Sequence, residues 1–520
     1  MTQSAQEHDH RRPRSEVFRR HRPEETVLYR CVEAHWPAFL ERAQEAGGLP
    51  KFVVQEFEAY LLCGRLEAGC LHLACRSCGH SQLVAFSCKK RAFCPSCCGR
   101  RMADTAVHLE QNVLPVVPVR HWICSLPWGL RALLGYDRTL CSEVVGAFVG
   151  ELSRSLQRRA KCLLALGSVA DAHTGAVASI QRTDSALRLN VHAHILALDG
   201  VYVREAEDGP LVFHALPTPT RAEVADVARR TAERIEHILK AHGRSLDPEL
   251  HDAEPPALPL VLEEPGLAAC YAAAARGVSV TGDRAGQTTL RLVVSRDAPA
   301  TGEVELAEEP VAEVRGINVH AKQLVDGRDR KQLERLCKYI TRPPVAQERL
   351  EERADGRLEL RLKNVWKDGT RALVFEPHDL LARLVAAVPP PNFHLLRYFG
   401  VLSSHSAFRA EVVPKPPVDT GQSRPPPCQG DQLSLLGDSD DEGEPRHART
   451  RWGWLLKHVF QQDVDTCSRC GGPMRWVEAA TTPDAIARLM ASHGLAPEPP
   501  ARPPRSAATA VGQQKLQFGE

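Results

Sequence analysis

The chain has 520 residues, which is enough for two to four domains of roughly 100–200 residues each. Hydrophobic residues make up 43% and charged residues 25%, which excludes a chain that is disordered, collagen-like or coiled-coil throughout. The net charge of +2 does not by itself indicate a polyanionic partner. No apolar run approaches the roughly 20 residues that cross a bilayer, and residues 1–23 lack a signal-peptide core. We therefore expect a soluble, unexported protein with no membrane partner.

The first predicted element follows a polar, arginine-rich stretch, residues 1–26, which we expect to be disordered. Helical spacing of apolar residues then predicts an entry region that leads into a cysteine-rich module, and the two together form a domain over residues 27–110. Residues 75–101 contain six lysines or arginines and no acidic residue, a pattern typical of nucleic-acid-binding surfaces. The residues that we expect to contact phosphates here are Lys89, Lys90, Arg91, Arg100 and Arg101.

Four cysteines of this module have the spacing of a zinc site. The pattern C-x2-C-x15-C-x2-C is formed by Cys75, Cys78, Cys94 and Cys97. Because thiols stay reduced in the cytosol, clustered cysteines in an unexported chain bind metal more often than they form disulfides. We expect one structural Zn²⁺, since four thiolates leave no coordination position open for catalysis. Three nearby cysteines could replace one of the four, namely Cys70, Cys88 and Cys98.

A strand downstream carries two histidines. The run NVHAHILALDG alternates, so His192 and His194 point to the same face of the strand and can share one metal ion. A His-x-His pair often arises by chance, and a buried core histidine is the alternative interpretation. The pair therefore needs support from elsewhere in the chain.

A short helix, LERLCKYITRPP, supplies that support. Helical spacing places Tyr339 beside three cations, which are Arg335, Lys338 and Arg342. Such charges favour the phenolate and stabilise the charge that develops on a phosphodiester under attack, so this tyrosine is a candidate nucleophile. The alternative is a tyrosine that packs at the edge of the helix.

The remaining segments complete the predicted domain organisation. Residues 111–413 form one domain with an insertion at about 204–316, and residues 414–450 form a proline-rich and acidic linker. A small segment, 451–495, contains the pair Cys467 and Cys470 and precedes a disordered tail, 496–520. One such pair is half a zinc site, which His458, His493 or a partner chain could complete, and metal-free surface thiols are the alternative.

Taken together, these motifs resemble those of bacterial rolling-circle transposases of the His-hydrophobe-His (HUH) endonuclease class, specifically the insertion-sequence ninety-one family and its common-region relatives. The resemblance covers about residues 62–414 and the CSRCGG segment. It is carried by SCKKRAFCPSC, HWICSLP, IQRTDSALRLNVHAHILALDGVY and the block that begins LERLCKYITRPP. The resemblance implies an α+β fold, in which a small four-cysteine zinc domain precedes an HUH endonuclease domain with a central antiparallel sheet.

The resemblance also implies a function. The protein would nick and join single-stranded DNA at element ends, with Tyr339 forming a 5′-phosphotyrosine. His192 and His194 would bind catalytic Mg²⁺ or Mn²⁺, with Gln181 as third ligand and Glu334 as its rival. The best-known members have two tyrosines four residues apart, so this chain resembles the one-tyrosine branch. The implied location is the bacterial cytoplasm, on the nucleoid when bound, and the oligomeric state is not indicated.

Three alternatives remain. The chain could be a zinc-containing DNA-binding protein without activity, such as a decayed transposase, although the presence of both histidines and the tyrosine argues against this. It could be an HUH replication initiator or relaxase, but the zinc module before the histidine strand favours transposition. A metal-dependent hydrolase is the third alternative, and it would form no covalent adduct with DNA.

Overall fold

The computed structural model of the chain describes residues 22–206, 209–246, 259–280, 284–293, 309–414, 464 and 466–495. Most of the expected basic N-terminus, nearly all of the linker and the C-terminal tail lie outside these ranges, as does His458. Within them, no helix has both the length and the apolar character needed to span a bilayer.

Helices and strands are mixed along the described chain. The helices are α1 (Val27–Glu45), α2 (Lys51–Leu61), α3 (Pro95–Asn112), α4 (Arg131–Tyr136), α5 (Arg138–Leu163), α6 (Arg221–Ala241), α7 (Pro259–Glu263), α8 (Pro265–Arg276), α9 (Arg330–Ile340), α10 (Pro377–Ala387), α11 (Arg409–Val412) and α12 (Pro483–Ser492). The strands are β1 (Cys70–Cys75), β2 (Ser81–Ala85), β3 (Val119–Ser125), β4 (Gly175–Thr183), β5 (Leu189–Leu198), β6 (Gly200–Arg204), β7 (Leu211–Ala215), β8 (Leu290–Val293), β9 (Val311–Val314), β10 (Ile317–Val325), β11 (Leu350–Glu352), β12 (Leu358–Arg361), β13 (Thr370–Phe375), β14 (Leu396–Gly400) and β15 (Met474–Ala480).

A six-stranded antiparallel sheet forms the centre of the protein. Its strand order is β14-β4-β5-β3-β10-β9, and every neighbouring pair runs antiparallel. Strands β4 and β5 are buried along almost their whole length. Their side chains still alternate: Ser179, Gln181, His192 and His194 lie on one face, and the residues between them, such as Ile180 and Ala193, face the larger apolar core. The expected α+β fold with a central antiparallel sheet is confirmed.

Helices cover both faces of this sheet. On one face, residues of β3, β4 and β5 share an apolar core with helices that include α4, α5, α6, α8 and α10. On the other face, Leu196 of β5 shares a smaller core with α3 and α9. Strand β9, which falls within the expected insertion at 204–316, pairs with β10 and forms one edge of the same sheet.

The smaller sheets lie outside this centre. A four-stranded sheet has the order β11-β12-β13-β8, and β6 pairs with β7. The third small sheet, β15-β1-β2, joins the two ends of the described chain, since β15 pairs with β1 from Cys70↔Ala480 to Cys75↔Met474. Apolar residues of α12 pack with Leu66 and Leu83 beneath it. The C-terminal segment is therefore part of the N-terminal module.

A buried ion pair supports the central sheet. The Nε and Nη2 atoms of Arg120 donate to the two carboxylate oxygens of Asp199 at 2.8 and 2.7 Å, and the two side chains are 2% and 5% exposed. Because Asp199→Ala leaves the guanidinium buried without its counter-charge, we expect the free energy of unfolding to fall by about 3–5 kcal/mol in urea denaturation.

The matched control for this variant is Glu352→Ala. Glu352 pairs with Arg30 at 3.3 Å, but both side chains are about half exposed, at 50% and 51%. Exposed pairs contribute about 0–1 kcal/mol, so this variant should unfold almost as the wild type does. Equal losses in the two variants would contradict a stabilising role for the buried pair.

Candidate active site

The two histidines of β5 lie on the sheet face that α3 and α9 cover. His192 is opposite Gln181 of β4 and Ser125 of β3, and His194 is opposite Ser179 of β4. The two imidazole centres are 5.0 Å apart. The Nδ1 atom of His192 lies 2.7 Å from the Asn190 carbonyl oxygen. A carbonyl only accepts, so Nδ1 carries the proton and Nε2 keeps a lone pair for a metal.

A third histidine, His121 of β3, holds His194 in place. Its Nε2 lies 2.9 Å from Nδ1 of His194, and its Nδ1 lies 3.2 Å from Oε1 of Gln323 on β10. If Gln323 accepts from His121, then His121 accepts from His194, and Nε2 of His194 keeps its lone pair. That Nε2 atom is buried and has no hydrogen-bond partner among the described residues. The motif HWICSLP, which contributes to the resemblance, contains His121 but did not predict this role for it.

Burial keeps these imidazoles neutral. Loss of hydration lowers the pKa of His194 to about 2, with the neighbouring histidines as a further cause. It lowers the pKa of His121 to about 4, against a smaller opposing effect of the Gln323 hydrogen bond. The pKa of His192 is also lowered, again mainly by burial. Near neutral pH all three rings are therefore uncharged, which is the form that binds metal.

Tyr339 lies next to the histidines. It is half-buried on α9, a helix that the Asp329 side chain caps by accepting from the Gln332 backbone N–H. Its ring centre is 5.6 Å from that of His194 and 6.0 Å from that of His121. The structure thus brings the tyrosine and the histidine strand together.

Two cations lie against the Tyr339 ring. The Arg342 guanidinium carbon is 4.8 Å and the Lys363 nitrogen 5.2 Å from the ring centre. Lys363 follows β12 and is distant from the tyrosine in sequence, so helical spacing did not predict it as a neighbour. The other two predicted neighbours have partners of their own: Lys338 pairs with Glu334 at 2.7 Å, and Arg335 donates to a backbone carbonyl one turn earlier.

Three side chains are candidates for the third metal ligand. The Gln181 nitrogen donates to the carbonyl oxygens of Tyr339 and Ile340, at 3.2 and 3.0 Å, so its amide holds the end of α9 against β4. The Glu334 carboxylate forms an ion pair with Lys338. Asn190 alternates with His192 along β5, and its Oδ1 is buried with no hydrogen-bond partner among the described residues. Both Asn190, through this unpartnered oxygen, and Gln181, whose hydrogen bonds use only its nitrogen and which lies opposite His192, have an oxygen to offer a metal.

A basic cleft of about 540 Å³ opens beside the end of α9. Its walls come from α3, the end of β4 and the segments after α9 and β12. Its cationic lining includes Arg91, Arg101, Arg342, Arg349 and Lys363. Among the other predicted phosphate contacts, Arg100 donates to the Ser87 hydroxyl, and Lys89 and Lys90 do not line the cleft. Tyr339 does not line this cleft, but two of the lining residues, Arg342 and Lys363, lie against its ring. A cleft with this charge suits a nucleic-acid strand.

The four predicted zinc ligands belong to two clusters instead of one. The first cluster consists of Cys63, Cys88, Cys94 and Cys97, and the second of Cys75, Cys78, Cys467 and Cys470. The expected single site at Cys75, Cys78, Cys94 and Cys97 therefore differs from the structure. The β1–β2 hairpin explains the difference. Cys75 and Cys78 lie at its tip, whereas the chain after β2 returns to its base, about 16 Å away for a five-residue strand.

The first cluster fits a structural zinc ion. Sulfur–sulfur distances to Cys97 are 3.8 Å from Cys63 and 3.4 Å from Cys88, close to the roughly 3.8 Å between ligands of a tetrahedral zinc with bonds of about 2.3 Å. Cys88, which the sequence suggested as a substitute, is one of the four. Cys94 immediately precedes α3, whose far end reaches α9 through an ion pair of Glu110 with Arg330 at 2.6 Å.

Comparison with known proteins agrees with this arrangement. Residues 31–126 match a family model described as "Transposase zinc-binding domain", and residues 175–409 match one described as "Putative transposase". A transposase for insertion sequence element IS801 from Pseudomonas savastanoi pv. phaseolicola is 31% identical over 153 residues, which is 29% of this chain and 34% of the relative. The match thus spans about a third of that relative's length. No solved structure matches the chain.

Proposed function

We propose that this chain is a transposase that nicks and joins single-stranded DNA at insertion-element ends, which its similarity to two transposase family models supports. The observation that carries the proposal is the position of Tyr339, with buried histidines on one side and Arg342 and Lys363 on its ring. The basic cleft beside the tyrosine supports a DNA substrate.

Tyr339 acts as the nucleophile in this mechanism. Its hydroxyl oxygen attacks the scissile phosphorus, the bond from phosphorus to the 3′ oxygen breaks, and the strand ends as a 5′-phosphotyrosine and a free 3′-hydroxyl. Attack of a 3′-hydroxyl on the phosphotyrosine reverses the step and joins strands. Arg342 and Lys363 lie against the Tyr339 ring and would stabilise the negative charge of the transferring phosphoryl group.

His192 and His194 would hold a divalent cation, which supplies positive charge to the scissile phosphate. The fit rests on neutral, buried imidazoles and on Nε2 of His194, which has no protein partner among the described residues. The third ligand in this proposal is either Gln181, which lies opposite His192, or Asn190, whose Oδ1 is buried without a partner among the described residues. Imidazole nitrogens suit Mn²⁺ better than Mg²⁺, so Mn²⁺ is the ion to use in assays.

The test is an incubation of purified protein with Mn²⁺ and labelled single-stranded oligonucleotides tiled across the DNA on both sides of the gene. A denaturing gel and mass spectrometry then detect cleavage and any adduct. A DNA adduct on Tyr339 at both element ends supports the proposal. Cleavage without an adduct indicates a hydrolase, and binding without cleavage a DNA-binding protein. Cleavage at a single site on a replicon indicates a replication initiator or relaxase.

Lys363 provides a test of the DNA path. It is exposed and lines the cleft, so Lys363→Ala should remove about one phosphate contact. For a single strand, the slope of log affinity against log salt should then become shallower by about 0.7, measured by fluorescence anisotropy. Lys338→Ala is the control, because Lys338 is paired with Glu334 and does not line the cleft. Equal effects of the two variants would rule out a specific contact at Lys363.

A further inference from the structure

We propose that the chain holds a second structural zinc ion, in a site built from both ends of the described chain. Its ligands are the second cluster, Cys75, Cys78, Cys467 and Cys470. Cys467 and Cys470 lie outside both regions that match transposase models, which end at residues 126 and 409. The inference rests on the geometry of the four thiols and is independent of the proposed catalytic function.

The sulfur atoms are arranged as ligands of one ion. The Sγ atoms of Cys75 and Cys470 are 3.5 Å apart, those of Cys78 and Cys467 are 3.7 Å apart, and all four lie within 4.8 Å of one another. A tetrahedral zinc with Zn–S bonds of about 2.3 Å separates its sulfurs by about 3.8 Å. Each of these two contacts joins a cysteine of the N-terminal pair to a cysteine of the C-terminal pair, so each pair supplies two of the four ligands.

The two pairs have the same local fold. In each, the second cysteine is followed by a glycine in the left-handed region, Gly79 at φ 71° and Gly471 at φ 74°. The backbone N–H of that glycine donates to the carbonyl oxygen of the first cysteine, at 3.2 Å for Cys75 and 2.9 Å for Cys467. Both glycines have open space around the Cβ position, so the backbone angle, and not crowding, calls for glycine.

Backbone amides point at the sulfurs. The Ser77 N–H donates to Cys75 Sγ at 3.3 Å, and the Gly472 N–H donates to Cys470 Sγ at 3.4 Å. Such hydrogen bonds favour the charged thiolate, which is the form that coordinates zinc. Cys75 and Cys467 are buried, whereas Cys78 and Cys470 are exposed, so the metal can enter from the solvent side.

The site closes a long loop. Cys78 and Cys467 are 389 positions apart in the chain. A zinc ion there would fasten β15 and α12 to the β1–β2 hairpin, in addition to the strand pairing and the apolar cluster that already join them. The role that we infer for this zinc is therefore a clasp between the C-terminal segment and the N-terminal module.

Metal analysis of the full-length protein tests the site. We expect two zinc ions per wild-type chain and one in the double variant Cys467→Ser/Cys470→Ser. Adding Cys75→Ser and Cys78→Ser to that variant should remove no further zinc, because both pairs serve one ion. Cys162→Ser, at an exposed cysteine outside both clusters, is the control and should keep two. An unchanged zinc content in Cys467→Ser/Cys470→Ser, or a further loss when Cys75→Ser and Cys78→Ser are added, overturns the proposal.

Proteolysis tests the clasp. A protease site is inserted between residues 415 and 463, and the cut protein is passed over a sizing column. In zinc-loaded wild type, the fragment that carries β15 and α12 should elute with the rest of the protein. In Cys467→Ser/Cys470→Ser, or after chelation, it should elute alone. Retention in all samples, or release in all, overturns the clasp.

Discussion

Tyr339→Phe is expected to abolish the covalent protein–DNA adduct and to lower strand cleavage by on the order of 10⁴-fold or more, as loss of a covalent nucleophile does in other enzymes. Phenylalanine keeps the ring that packs against α9's core and between Arg342 and Lys363. Folding and affinity for single-stranded DNA should therefore stay near wild type. The measurement combines the denaturing-gel assay with Mn²⁺ and a binding titration on the same oligonucleotide.

Two further variants sharpen this test. Tyr398→Phe is the matched control, because Tyr398 of β14 packs against the same apolar cluster and lies under Arg409 instead of beside the histidines. It should form the adduct normally. His192→Ala should lose cleavage without losing DNA binding, since it removes a proposed metal ligand. An adduct that persists in Tyr339→Phe would assign the nucleophile to another residue and end the proposed mechanism.

Cys97→Ser is expected to unfold the N-terminal module and to release the zinc of the first cluster. Cys97 is buried and contacts both Cys63 and Cys88 through its sulfur. Structural zinc sites of this kind contribute about 10–16 kcal/mol, more than the module can lose and remain folded. Helix α3 begins at this cluster and packs on α9, so we expect cleavage to disappear as well.

Cys98→Ala provides the comparison for this variant. Cys98 is the next residue on α3 and is also buried, but it does not belong to either cluster. This variant should keep its full zinc content and stay folded. Zinc analysis, thermal unfolding and hydrogen exchange of α3 separate the two outcomes. If Cys97→Ser retains its zinc and the protection of α3, the first cluster is not a zinc site that holds the module together.

Local patterns in the sequence were sufficient to predict the histidine strand and the tyrosine helix. Strand alternation places His192 and His194 on one face, and the helical period places the apolar side of α9 against the sheet. Helical spacing alone did not predict which cations contact the Tyr339 ring. Lys338 lies next to Tyr339 in sequence, but Glu334 one turn earlier pairs with it.

Contacts between distant segments could not be predicted from spacing. The spacing of the first two CxxC pairs predicted a single zinc site. The β1–β2 hairpin separates these pairs and places Cys75 beside Cys470, 395 positions away. His121 and Lys363 reach the candidate active site through the order of strands in the sheet and the path of the chain after β12. A single sequence carries no local signal for such long-range pairing.

The β15-β1-β2 sheet has a consequence for biosynthesis. Strand β1 ends at Cys75 and its neighbour β15 begins at Met474, so about 400 residues must be translated between them. At about 5–20 residues per second, the growing chain exposes one unpaired edge of β1 for about 20–80 seconds. Nascent chains that stop before Met474 keep that edge open, and they are the species that we expect molecular chaperones to bind.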